Sequence, residues 1–276
     1  MCRAAVFGRR QAFFSSLLYG VAASIAGGAA LPQGYEFIYA LEQIFRALQA
    51  SNVGEAEVAR REWTYLPLLK HANRMPTLVL HRVMARDPSL FAEVICAAFH
   101  AQHREEHDQI SDPDRVRAGV AYDCLSEWRI VPGADAAGAL DADALNAWVD
   151  EARRLCAVSD RAVSGDQQIG RVLAFGNAGA DGNWPRPEIR TLVERVSSEE
   201  IERGFTVSVF NQRGASTRGL TDGGTQERAL AARYRGYAEA VAILEPRTAA
   251  MLRRIADRYE IAAHHADVRA EQRDLG

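Results

Sequence analysis

The chain reads as an all-α protein on three observations. Apolar residues recur three and four positions apart in one segment after another. Helix-start residues, an Asp or Ser and twice an Asp-Pro pair, stand ahead of several of those segments. Alternating β-branched runs bounded by turn residues are almost absent.

The elements follow in order. Residues 35–50 place Phe37, Leu41, Ile44, Phe45 and Leu48 on one face. Residues 55–69 repeat the rhythm with Ala59, Trp63 and Leu66, and Pro67 should kink or end that helix. Two shorter helices are expected at 75–84 and 88–100, the second opened by Asp87 and Pro88. Asp112 and Pro113 repeat that signal ahead of a helix at 113–128 with Val116, Val120, Cys124 and Leu125 inward. A turn-rich gap at 131–139 ends at Asp141, the expected N-cap of a helix at 142–158 that buries Leu145, Trp148, Val149, Ala152 and Cys156. A short helix is expected at 167–175, a surface loop at 176–187 and a helix at 187–196. Ser198 then caps another start.

Residues 205–210, FTVSVF, alternate like a strand but also continue the helical register through Ile201, Phe205 and Val209. A lone strand could not satisfy its backbone, so helix is the expectation. Two last helices carry Leu230, Tyr234, Tyr237, Val241 and Leu244, and then, beyond Pro246, Leu252, Ile255, Tyr259, Ala262 and Ala266.

Ten to twelve helices of uneven length with no fixed period predict an irregular stack of antiparallel helical hairpins, a HEAT-like or similar α-solenoid. The expected organisation is an N-terminal segment at 1–31 and a helical-repeat domain at 32–276, with a subdivision near 131–140.

Composition sets the class. The 276 residues are 48% hydrophobic and 25% charged, ordinary for a globular protein with a substantial core. A net charge of -3 supplies no field toward nucleic acid or membrane. Lys70 is the only lysine, a bias that reads as GC-rich coding rather than arginine chemistry. Cys2, Cys96, Cys124 and Cys156 have no CxxC spacing, so zinc-knuckle and thioredoxin-like sites are unsupported and a reducing cytoplasm fits. At the N-terminus, Arg3, Arg9 and Arg10 precede an apolar run that ends in small residues at 28–30, the outline of a secretory signal. The preferred reading is a first helix at 11–26, because nothing downstream suits an oxidising compartment; export remains the alternative. Ser15, Ser16 and Ser24 weaken the run as a membrane span.

The phrases REWTYLPLL (61–69), LHRVMARDPSLFAEVICAAF (80–99), AWVDEARRLC (147–156), DQQIGRVLA (166–174), NWPRPEIRTLVE (183–194) and GGTQERALAARYRGYAEA (223–240) carry a resemblance. Over residues 35–267 the chain resembles a C-terminal helical region of large uncharacterised bacterial proteins. That resemblance implies a helical fold within a longer protein and no particular chemistry.

The stretch 204–237 is the candidate site. Extended to Arg203, it holds six arginines against Asp222 and Glu227, an excess of positive charge in an acidic chain. Gly223 and Gly224 precede Thr225, a plausible N-cap, and a glycine turn feeding a helix N-terminus suits an anion. Asn211, Arg213, Arg218 and Arg228 complete the expected ligand-binding set. The competing reading is a structured loop with its arginines paired to neighbouring acids. A P-loop is excluded, since the Gly-Lys-Ser/Thr ending is missing.

Other constellations are weaker. His100, His103 and His107 would share one face if their helix ran that far, but the acids around them suggest a solvated end. Arg258 and His264 match a loose spacing found in helical ribonucleases, one that chance also produces. Trp63, Tyr65, Trp128 and Trp148 read as core anchors before a stacking platform. Glu105-Glu106 and Glu199-Glu200 are adjacent and diverge on a helix, so neither pair can flank one bond. No catalytic residues are assigned, and no cofactor or metal pattern is present.

These residues predict a cytoplasmic helical-repeat binding or scaffold protein, with a protein as the expected partner, nucleic acid a weaker option and no membrane. The alternative is a hydrolase, a metal-independent nuclease using C-terminal arginines.

Overall fold

The computed structural model of the chain describes residues 35–50, 52–69, 79–103, 111–213 and 223–274. The expected first helix at 11–26 and the rest of segment 1–31 lie outside them. Eleven α-helices occupy the described residues, and one isolated antiparallel bridge, Ala134 with Leu140, is their only extended pairing. The chain divides into two compact units, 1–127 and 128–276, just ahead of the turn-rich stretch.

The first unit contains α1 (Tyr35–Gln49), α2 (Glu55–Leu69), α3 (Val79–Met84), α4 (Pro88–Ala98) and α5 (Asp112–Glu127). Pro67 lies inside α2, which runs on to Leu69. Of the helix expected at 75–84, Val79–Met84 is described. Leu41, Ile44, Phe45 and Leu48 from α1 meet Val58, Ala59, Tyr65 and Leu66 from α2 in a buried core, and the Phe45 and Tyr65 rings lie 5.9 Å apart.

A buried carboxylate ties three of these helices together. Glu62 on α2 accepts from Gln49 Nε2 at 2.8 Å and from the Leu80 backbone N–H at 2.7 Å, so it caps the start of α3 from another helix. Burial pushes its carboxyl above the usual carboxylate range, against the hydrogen bonds that favour the charged form. Asp87 caps α4 locally, accepting from Ser89 N–H at 2.9 Å.

The second unit begins with buried Trp128 and a turn in which Asp135 Oδ1 accepts from the N–H groups of Ala137 and Ala139. Gly133 has φ +80°, and a Cβ there would sit 2.9 Å from the Asp141 carbonyl, so only glycine fits. Then come α6 (Ala142–Val158), α7 (Ala162–Leu173), α8 (Pro187–Val196), α9 (Glu199–Gln212), α10 (Thr225–Val241) and α11 (Pro246–Asp274). Asp141 and Ser198 are the observed N-caps of α6 and α9. FTVSVF is helical, inside α9. The start of α7 precedes the expected 167 because Arg161 stands at its N-cap without a side-chain cap, leaving nothing local to read.

Packing within this unit departs from a simple hairpin order. Helices α10 and α11 are an antiparallel hairpin: Gly224 meets Asp267, while Tyr234 stacks on Tyr259 and Arg235 pairs with Glu260. Helices α7 and α9 are not sequence neighbours and run in the same direction. Asp166 pairs with Ser198, Gln167 with Glu200, and Ala174 with Gln212. Glycines allow this approach. A Cβ on Gly170 would stand 2.7 Å from the Ile201 carbonyl carbon, and one on Gly204 2.7 Å from that of Gln167. Arg190 of α8 is 5% exposed and joins Asp181, the Pro185 carbonyl and Glu245.

Candidate functional site

The glycine turn at the head of α10 forms as expected, with one difference in who occupies it. Gly223 adopts φ +53° and Gly224 is the N-cap, so Thr225 begins the helix instead of capping it. The Gly224 N–H donates to Asp267 Oδ1 of α11 at 2.7 Å, and Arg228 pairs with the other carboxylate oxygen. A backbone hydrogen bond and an adjacent guanidinium together hold the Asp267 carboxyl below its usual range. The anion at this helix N-terminus is therefore the protein's own.

The remaining expected site residues are divided. Arg213 lies 2.5 Å from buried Glu227, donates to Gln226 at 3.4 Å and stands over the Tyr259 ring. Asn211 is exposed on the last turn of α9, and Arg218 falls outside the described residues. Arg213 and Arg228 thus engage carboxylates, as the structured-loop reading required.

Besides a small one of about 170 Å³ beside Arg129 and Arg186, two recesses open among the described residues of the second unit. One, of about 450 Å³, is lined by Trp184, Tyr234, Tyr237, Tyr259, Arg213 and Arg233, with Asn177 and Gln212 also in its wall. Its aromatic wall is continuous: the Trp184 ring lies 5.7 Å from Tyr234, and Tyr234 stacks on Tyr259 at 5.7 Å with 4° between planes. Trp184 is fixed by donating Nε1–H to the Gly176 carbonyl at 2.8 Å. Burial pushes the Tyr234 and Tyr259 phenols above their usual range, which keeps both as neutral hydrogen-bond donors.

The other recess, of about 570 Å³, lies between α9 and α11 and is lined by Arg203, Arg247, Arg254 and Arg258 with Glu199, Glu202 and Thr206. Glu202 is 5% exposed and accepts from Arg247 through Oε1 and from Arg254 through Oε2. Arg258 stands over Phe210, its guanidinium carbon 4.6 Å from the ring centre.

The weaker constellations resolve as follows. Helix α4 ends at Ala98, where Phe99 turns extended, so His100 and His103 do not share a helical face; His107 lies outside the described residues. No group of three or more His, Cys, Asp or Glu placed to hold a metal occurs among the described residues. Arg258 faces the arginine recess, while His264 lines neither recess. Tyr65, Trp128 and Trp148 are core, and half-buried Trp63 donates to Glu93 at 2.8 Å. A buried pair absent from the sequence reading, His81 with Cys124 Sγ at 3.6 Å, belongs to the core of the first unit.

No protein-family model, curated protein or solved structure matches the chain. Among the described residues no helix is long and apolar enough to cross a membrane.

Both recesses use residues that the sequence reading passed over. Arg247, Arg254 and Arg258 are spaced seven and four apart, one face of α11, but a composition-driven reading of arginine hid the stripe. The helical spacing of Tyr234 and Tyr237 reads as core; Tyr234 is both core and cleft wall.

Proposed function

We propose that the chain is a helical binding or scaffold module of the stacked-hairpin, HEAT-like type, working in the cytoplasm within a larger bacterial protein. Its partner is a protein segment, held in the cleft of Trp184, Tyr234, Tyr237, Tyr259, Arg213 and Arg233. The observation that carries this reading is the lining itself. Tyr, Trp and Arg are the residue types that dominate interface energetics, because they bury large rigid surfaces and keep a polar tip. The cleft also draws on the stretch 204–237 singled out by its sequence, through Arg213, Arg233, Tyr234 and Tyr237. Cys96, Cys124 and Cys156 are not bridged to one another, which suits a reducing compartment.

A photo-crosslinking residue at Tyr237, compared with one at Tyr122 of the first unit, tests the cleft in cells. The reading expects one protein captured from position 237 and not from 122, with capture lost in Arg233→Ala. Equal capture from both positions, or capture indifferent to Arg233, sinks it. Mass measurement of the intact N-terminus separates the cytoplasmic assignment from export: a chain cut near residue 31 overturns it.

A further inference from the structure

We infer that the recess between α9 and α11 is a binding site for a small phosphate ester, separate from the aromatic cleft. Four guanidiniums converge there against two carboxylates. One of those carboxylates is committed. Glu202 is buried, and its two oxygens each hold one arginine, Arg247 and Arg254, side by side. A guanidinium has five N–H donors and this pairing uses one from each, so most of their donors remain for a second acceptor. Glu202 acts as a buried post that aims two cations into the same space and fixes them before any ligand arrives. Glu194 of α8 supports the arrangement by accepting from the Arg247 and Thr248 backbone N–H groups, which anchors the first turn of α11.

Two further arginines complete the rim. The Arg258 guanidinium carbon lies 4.6 Å from the Phe210 ring centre, a cation–π contact that holds the charge at the recess. Arg203 reaches Glu200 at 3.3 Å along its own helix and is mostly exposed, so its hold there is weak. Glu199 is the remaining acid of the lining, one turn before Arg203 on α9.

Planar guanidiniums presenting paired N–H groups match phosphoryl oxygens, and the four cations of the lining outnumber its two carboxylates, which favours an anionic phosphate ester. The volume, about 570 Å³, lies within the range of small-molecule sites. It is too small for a folded partner and suits a ligand with one or two phosphoryl groups.

Inorganic pyrophosphate is the probe, titrated calorimetrically into the full chain, with citrate as the carboxylate control. Saturable 1:1 binding tighter than about 1 mM is expected, with citrate at least tenfold weaker. The variant Arg203→Gln/Arg258→Gln leaves the Glu202 cluster intact, so its unliganded Tm should match wild type while pyrophosphate affinity falls at least tenfold. Absence of saturable binding, citrate binding as tightly, or an undiminished affinity in the variant each overturns the assignment. Pyrophosphate binding that also survives Tyr237→Ala separates this site from the aromatic cleft, and loss in Tyr237→Ala with the arginine variant unaffected would refute it.

Discussion

Gly204 of α9 faces the Gln167 carbonyl of α7 so closely that a Cβ would stand 2.7 Å from the carbonyl carbon and 2.8 Å from the Gln167 Cα. Gly170 stands in the same relation to Ile201 and Phe205. The two helices therefore approach backbone to backbone, and the atoms in the way cannot swing aside as a side-chain tip would. Alanine ordinarily favours a helix over glycine by about 1 kcal/mol. Here that gain is overwhelmed. Gly204→Ala is expected to destabilise the chain by about 1–3 kcal/mol, read as a lower urea midpoint. Gly236 on α10 is the matched control, since nothing lies within 4 Å of its Cβ position. Gly236→Ala should raise stability by about 0.5–1 kcal/mol. The same sign for both substitutions would refute the close approach of α7 and α9.

The positions of the helix starts separate what could be read in the sequence from what could not. Helices α4, α6 and α9 begin where Asp87, Asp141 and Ser198 cap them from the adjoining residue, and each was expected there. Helices α3, α10 and α11 are capped from afar. Glu62 serves Leu80, Asp267 serves Gly224, and Glu194 serves Thr248. A carboxylate on another helix leaves no local signature, which is why the turn at Gly223 and Gly224 looked like an open anion site. The pairing of α7 with α9 was hidden for a related reason. Periodicity names the buried face of a helix but not the helix that covers it, and the parallel partner lies beyond α8. The arginine stripe on α11 was visible in spacing alone; its meaning came only with Glu202 placed beneath it.

Glu62 and Asp267 should titrate with opposite signs. Asp267 has a folded pKa below the ordinary aspartate value of about 4. Its contribution is present above that value and is lost as pH falls through the folded pKa. The stability gap between wild type and Asp267→Asn should therefore narrow below about pH 4. A gap that is constant from neutral to acid pH would show that the Gly224 N–H gains nothing from the charge.

Glu62 has a folded pKa above the ordinary glutamate value of about 4.3. Its folded form holds the proton more tightly than the unfolded chain does. The stability it contributes is fullest below about pH 4 and declines as pH rises through the folded pKa. Glu62→Gln keeps an acceptor for the Leu80 N–H and does not titrate, so wild type should lose ground to it as pH rises across that window. Glu62→Ala leaves the Leu80 N–H buried without its acceptor and should cost about 1–3 kcal/mol, measured by urea unfolding at one pH.

Arg190 tests how the buried charges of the second unit are held. Its guanidinium is 5% exposed and reaches Asp181 at 2.7 Å, the Pro185 carbonyl at 2.8 Å and Glu245 at 3.0 Å. It clamps the loop ahead of α8 to the link between α10 and α11. Replacing it with methionine fills much of the volume and strands Glu245, whose side chain is 16% exposed. Breaking a buried pair from one side costs about 3–5 kcal/mol. The low end applies here, because Asp181 can turn to solvent. Removing both charges relieves the stranded carboxylate, so Arg190→Met/Glu245→Gln should be more stable than Arg190→Met alone. A double-mutant cycle on urea midpoints measures the coupling. Strict additivity would mean that Glu245 finds another partner, and the clamp would then reduce to the hydrogen bonds Arg190 makes to Asp181 and Pro185.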